Sequence, residues 1–101
     1  MLKNQPITKH HLFSQKQGNI VSDMDGEKVM LNIYNGKYYN LGELGGYIWE
    51  LMEKPLTHQN LVTTLQSQYD VDHSECEEQV TVFLNQLIEE DLIQIGEHNN
   101  S

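Results

Sequence analysis

The chain is short of positive charge, of cysteine and of long apolar runs. Six Lys plus Arg stand against 15 Asp plus Glu, a formal net charge of −9. A surface of that sign repels phosphate backbones and forfeits the attraction behind most nucleic-acid affinity. Nucleic acid is therefore excluded as an expected partner, whereas a basic peptide would be drawn by the same field. The single cysteine, Cys76, rules out an intrachain disulfide and fits a reducing compartment. No run of about 18 apolar residues is present to span a membrane, and the opening M-L-K-N-Q-P-I-T-K-H-H lacks the apolar region of a signal peptide. These absences predict a soluble, cytoplasmic protein with no membrane partner.

What is present fits one domain. A chain of 101 residues holds one modest core, with no internal repeat and no low-complexity segment. Met1 to Lys9 and Gly96 to Ser101 are polar and aperiodic and read as frayed ends, leaving an ordered core over about residues 10–95. Two hairpin signals follow each other. Asp25-Gly26 separates Ile20–Met24 from Glu27–Tyr34, and Asn35-Gly36 separates that strand from Lys37–Leu41; both dipeptides suit the positive φ of a two-residue turn. The pair predicts a three-stranded antiparallel meander. His11–Gln15, with Leu12 and Phe13 its only apolar residues, reads equally as a short strand or a packed loop.

Asn40 and Glu43 have capping-box spacing, with Tyr39 and Leu44 placed as a hydrophobic staple, and open a first helix from about Leu41 to Glu53. It buries Leu44, Ile48, Leu51 and Met52. Gly45 and Gly46 lower its propensity but permit close backbone approach, and Pro55 stops it. Thr57 N-caps a second helix carrying Leu61, Val62, Leu65 and Tyr69. Asp72 and Glu75 open a third, running to about Glu90 with a core stripe of Cys76, Val80, Leu84 and Leu87. Leu92, Ile93 and Ile95 read as a short packed tail. The fold class is α+β, winged-helix-like: an N-terminal meander followed by a three-helix bundle.

The order L-N-I-Y-N-G-K-Y-Y-N-L-G-E-L-G-G-Y-I-W-E-L-M, then P-L-T, L-Q-S-Q-Y-D-V and V-T-V-F-L-N-Q-L-I-E-E-D-L-I, resembles the PqqD-like family over roughly Ile20 to Ile95. These are recognition elements for the precursors of ribosomally made, post-translationally modified peptides. As a free-standing domain the chain is most similar to the stand-alone leader-binding proteins of lasso peptide biosynthesis. The resemblance implies a non-catalytic adaptor, without cofactor. The leader adds as an antiparallel strand to the third strand and settles against the third helix, for presentation to a separate leader peptidase and an ATP-dependent macrolactam cyclase. Asp91 departs from the glycine that relatives often carry before the final Leu-Ile, a position where Asp tolerates a left-handed backbone.

The candidate peptide-binding residues are Asn32, Tyr34, Lys37, Tyr38, Tyr39, Asn40 and Leu41 on the strand side, and Gln79, Val82, Phe83, Gln86 and Glu90 on the third helix. A strict two-residue turn at Asn35-Gly36 pairs Ile33 with Tyr38. The staple favours Tyr39 and Leu41 inward, leaving Tyr38 and Asn40 toward the groove, and a bulge would overturn that assignment. On the third helix Val82 and Phe83 exceed the core stripe, although Phe83 reads equally as core. Trp49 and Tyr47 read as core and surface residues. His73 and Cys76 at i, i+3 could share a metal with His10 or His11, but two ligands make no structural site. A buried Cys76 is inert as a nucleophile, and the five histidines are too scattered for a pH switch. Glu77-Glu78 and Glu89-Glu90-Asp91 read as solvated faces. The rival reading is a winged-helix transcription regulator, which would need basic residues on its recognition helix, and Ser74–Glu90 has none.

Overall fold

The computed structural model describes residues 11–97, so the expectations for the chain before residue 11 and after residue 97 lie outside the described residues. Five strands and three helices follow in order: β1 (His11–Gln15), β2 (Asn19–Met24), β3 (Glu27–Asn32), β4 (Tyr38–Leu41), α1 (Gly42–Leu51), α2 (His58–Gln68), α3 (His73–Glu89) and β5 (Ile93–Glu97). The fold is α+β, with all its pairings antiparallel. Its strands form two sheets, whereas one was expected: a three-stranded sheet in the order β2-β3-β4 and a two-stranded sheet of β1 with β5. The C-terminal segment is thus a strand that takes in Gly96, and His11–Gln15 is its partner, with Phe13 opposite Ile95. Phe13 is fully buried and bridges Leu56, which ties this small sheet to the entry of α2.

The Asp25-Gly26 turn forms as expected, both residues at positive φ between paired Met24 and Glu27. The Asn35-Gly36 turn differs. Leu31 pairs with Tyr38 and Met30 with Tyr39, and the chain closes with Asn32 N–H donating to Lys37 O at 3.0 Å. The connection between Asn32 and Lys37 is a four-residue loop, Ile33 to Gly36, which takes in Tyr34, and Lys37 lies just before the first residue of β4. The cause is Asn32. Its side chain is 5 % exposed and its Oδ1 accepts from Tyr34 N and Asn35 N, while its Nδ2 donates to Asn19 Oδ1 at 2.7 Å. Three satisfied bonds at a buried amide outweigh the local preference of Asn-Gly for the tighter turn.

At the other end of β4, Lys28 bridges Gly42 while Val29 pairs with Asn40, so Leu41 is an extra, bulged residue in a right-handed helical conformation. This bulge replaces the expected Asn40–Glu43 capping box. Asn40 stays in the strand, its Oδ1 accepting from Gly42 N at 2.9 Å, and α1 begins without a side-chain cap and ends at Leu51. Thr57 does cap α2, with Asn60 returning the bond. Asp72 caps α3 through Ser74 N and Glu75 N, and Glu75 turns to Gln79. Asp91 takes φ 63, and Leu92 N and Asp91 N donate to Leu87 O and Ile88 O. That is a Schellman closure, completed by burial of Leu87 and Leu92.

The core joins Phe13, Met30, Ile48, Trp49, Met52, Leu61, Val62, Leu65, Leu92 and Ile93 to the α3 stripe of Cys76, Val80, Leu84 and Leu87. α2 packs on α3 and α1 lies on β3. Gly46 permits that last approach, since a Cβ there would overlap Lys28. The face of the larger sheet away from the helices is open, with Ile20, Met24 and Tyr38 exposed.

Candidate functional site

The larger sheet has two free edges, and they differ. Gly18 O accepts from Ile33 N, so alternation of bonded pairs turns the backbone groups of Asn19, Val21 and Asp23 outward along β2. That edge carries a charge on the side facing the helices: Asp23, itself exposed, pairs with Lys28 of β3 at 3.3 Å, and Lys28 also meets Glu50 at 3.0 Å. These contacts raise the Lys28 pKa, the Glu50 hydrogen bond first and Asp23 next. Inward charges are a standard way to block strand addition. The β4 edge has no such guard. Because Asn32 bonds to Lys37, Met30–Tyr39 is the next bonded pair, and the N–H and C=O of Tyr38 and Asn40 face outward. Neither residue carries a charge.

α3 flanks this open edge. At one end Tyr39 OH donates to Glu90 Oε1 at 2.8 Å and accepts from Asn35 Nδ2 at 3.0 Å, and Lys37 Nζ stands 3.6 Å from the same carboxylate. Burial, then the hydrogen bond to Glu90, pushes the Tyr39 phenol above its ordinary range. Further along, Phe83 lies half-buried over Gly45. One side of its ring lines a cavity of about 120 Å³ with Leu41, Leu44, Ile48, Tyr69 and Val71. The other lines an open surface groove with Glu75, Glu78, Gln79, Val82 and Gln86. Phe83 is thus neither plain core nor fully exposed, and Val82 is 50 % exposed. Cys76 lies at the cavity wall as a buried thiol, its pKa pushed up by burial and then by Glu77.

The structure brings most of the expected residues together and separates a few. Tyr38, 72 % exposed, and Asn40 lie on the outer face at the edge; Tyr39 and Leu41 turn inward toward α3. Gln79, Val82, Phe83, Gln86 and Glu90 share the flank of α3 beside them. Asn32 does not join the groove, because it is buried and its amide is committed to the loop. Tyr34 projects from the loop over Gly18 and is 76 % exposed. Sequence reasoning missed Leu44, Gly45, Tyr69 and Val71 as groove-side residues, since only tertiary packing carries the turn before α3 to this cavity. Trp49 is core, and Tyr47 stacks edge-on to Tyr69 at 5.8 Å. His73 meets Gln66 and Glu77, away from the Cys76 thiol, and among the described residues no three metal-ligating side chains gather. α3 carries neither Lys nor Arg.

Among known proteins, the family described as coenzyme PQQ synthesis protein D (PqqD) matches residues 27–93. TbiB1 in complex with the TbiA(beta) leader peptide shares 26 % identity and superposes with a TM-score of 0.72, covering 80 % of this chain and 94 % of that one. A lasso peptide synthetase B1 complexed with the leader peptide superposes with a TM-score of 0.71 at 20 % identity, covering 81 % and 96 %, a likeness of fold. No curated protein matches the chain.

Proposed function

The chain belongs to the PqqD family, and from that premise we infer that it is a non-catalytic adaptor that binds the leader of a ribosomal precursor peptide by strand addition to β4. The observation that carries this reading is the uncharged, outward-facing β4 edge lying beside the apolar flank of α3. The two structural relatives, each in complex with a leader peptide, support it. The whole chain acts as one such domain, and its helices and small sheet give it a winged-helix-like layout.

The energetics divide the labour. Tyr38 and Asn40 offer two donors and two acceptors, worth about 0.5–1.5 kcal/mol net apiece, or roughly 2–6 kcal/mol together. Micromolar binding needs about −8 kcal/mol. Side chains entering the space between Leu41 and Phe83 supply the remainder and the specificity, as in other strand-addition sites. Gln79 and Gln86 line the groove as amides, and Lys37 with Glu90 borders its far end. In this reading the bound leader is presented, in the cytosol, to a separate leader peptidase and an ATP-dependent macrolactam cyclase of a lasso pathway. A duplex-binding regulator would need cations on α3, where there are none.

Tyr38→Pro tests the reading. The Tyr38 N–H faces the open edge, so the substitution removes a donor for the leader while leaving the β3–β4 ladder bonds in place. Fluorescence polarisation with a lasso-precursor leader peptide that the wild-type chain binds is expected to show a loss of tenfold or more in affinity. A folded variant that binds at wild-type strength would refute strand addition at β4.

A further inference from the structure

Where the loop of Asn32–Lys37 meets the turn after β1 and the end of α3, a polar hollow of about 460 Å³ opens, lined by Lys16, Gln17, Asn32, Tyr34, Asn35, Glu90 and Asp91. Resting on the leader-binding reading, we propose that this hollow is a second subsite, which takes the stretch of the same peptide that lies C-terminal to its β-paired segment.

Direction and continuity place it there. A strand antiparallel to β4 runs from the Leu41 end toward Lys37, so its C-terminal continuation leaves the groove at the Lys37–Glu90 pair. Glu90 and Asn35 belong to both places: they hold Tyr39 at the end of the groove and line the hollow beyond it. About six further residues reach roughly 20 Å when extended, enough to cross it.

Tyr34 is the feature that folding leaves unexplained. Its backbone is fixed by the buried Asn32, and its ring lies against the backbone at Gly18, where φ is +92° and an added Cβ would overlap the ring. A large aromatic held in one place yet left open is the kind of low-entropy anchor that dominates peptide contacts. The charges around it are already matched, Lys16 with Asp91 and Lys37 with Glu90. A charged residue of the peptide therefore finds no uncompensated partner. The subsite suits an extended, uncharged polar stretch that lays its backbone on the Tyr34 ring and bonds to Gln17 and Asn35.

The test uses the full chain and peptides selected on it from a random 16-residue display library, keeping those whose binding is lost on Tyr38→Pro. Each is synthesised whole and shortened stepwise from its C-terminus. On the wild type, removing the residues beyond the β-paired segment is expected to weaken binding about tenfold. On Tyr34→Ser the whole peptide should bind no better than the shortened one, and the shortened peptide should bind as it does to wild type. Equal affinity of whole and shortened peptides on the wild type, or an equal effect of shortening on wild type and Tyr34→Ser, overturns the subsite. A library in which every binder ignores Tyr38→Pro overturns the β4 reading instead, so the two failures are distinguishable.

Discussion

Gly45 and Gly46 sit side by side in α1, both buried, and replacing each with alanine separates two consequences of one substitution. Glycine in a helix interior is about 1 kcal/mol less favourable than alanine, so both variants start from the same gain. At Gly45 the new carbon would stand 3.0 and 3.1 Å from Cε1 and Cζ of Phe83. That ring has the open groove on its far side and can move by the few tenths of an ångström required. A net stabilisation of up to about 1 kcal/mol is expected. At Gly46 the new carbon would overlap Lys28 Cγ and lie 2.8 Å from Lys28 Cβ. The Cβ is fixed to β3, and the rest of the side chain is held by Asp23 and Glu50. Overpacking of this kind costs about 1–3 kcal/mol, which exceeds the helical gain and leaves a loss of up to about 2 kcal/mol.

For a domain of this size about 1 kcal/mol moves the Tm by roughly 4–8 °C, so thermal unfolding followed by circular dichroism resolves the two signs. Leader affinity supplies a second readout. Gly45→Ala pushes the Phe83 ring toward the groove and is expected to weaken leader binding several-fold while stabilising the fold. A Gly46→Ala variant as stable as Gly45→Ala would show that the approach of α1 to β3 is not what the glycine protects, and the reasoning would fall.

Phe83→Ala is expected to cost about 1–3 kcal/mol of leader affinity and less than the roughly 3–5 kcal/mol of stability that a fully buried Phe loses; a large Tm drop with unchanged affinity would assign Phe83 to the core. Asn32→Ala should destabilise by about 1–3 kcal/mol, by stranding the amides of Tyr34 and Asn35 in the loop, and denaturant unfolding with no shift would contradict that role. Duplex DNA should show no binding at low salt, and a micromolar dissociation constant there would revive the regulator reading. Because the Tyr39 phenol is held above its ordinary value of 10.0 in the folded state, its stabilising contribution is complete below that value and is lost as pH rises past it. Tyr39→Phe should therefore flatten part of the alkaline fall in Tm, and an unchanged alkaline profile would count against the Glu90 contact.

The features legible in the sequence were those fixed within one turn of chain. The α3 stripe of Cys76, Val80, Leu84 and Leu87, the Thr57 cap, the Asp25-Gly26 hairpin and the left-handed Asp91 all follow from side chains within a few residues of each other. The β1–β5 sheet was hidden for the opposite reason: His11 pairs with Glu97 across nearly the whole chain, and Ile93–Glu97 alone is too short and too mixed to declare a strand. At Asn35-Gly36 the local preference was real but lost to Asn32, whose side chain accepts from Tyr34 N and Asn35 N and is anchored by Asn19, a residue on another strand that the sequence around the turn does not contain.

The manner of that loss explains why the expected faces survived a wrong register. Moving from a two-residue turn to the four-residue loop shifts β4 against β3 by two residues, and both side-chain facing and the phase of bonded pairs repeat every two residues. Tyr39 and Leu41 therefore still turn inward, and Tyr38 and Asn40 still direct their backbone groups to the open edge. Only the cross-strand neighbours change, with Tyr39 now opposite the buried Met30. A slip of one residue would have reversed every one of these assignments, placing Tyr38 toward α3 and leaving Glu90 without its phenol. Asn32 enforces the even shift through its side chain, whose Oδ1 accepts from Tyr34 N and Asn35 N and so holds the four-residue loop, and a buried amide behind the strand thereby sets which residues of β4 face the open edge.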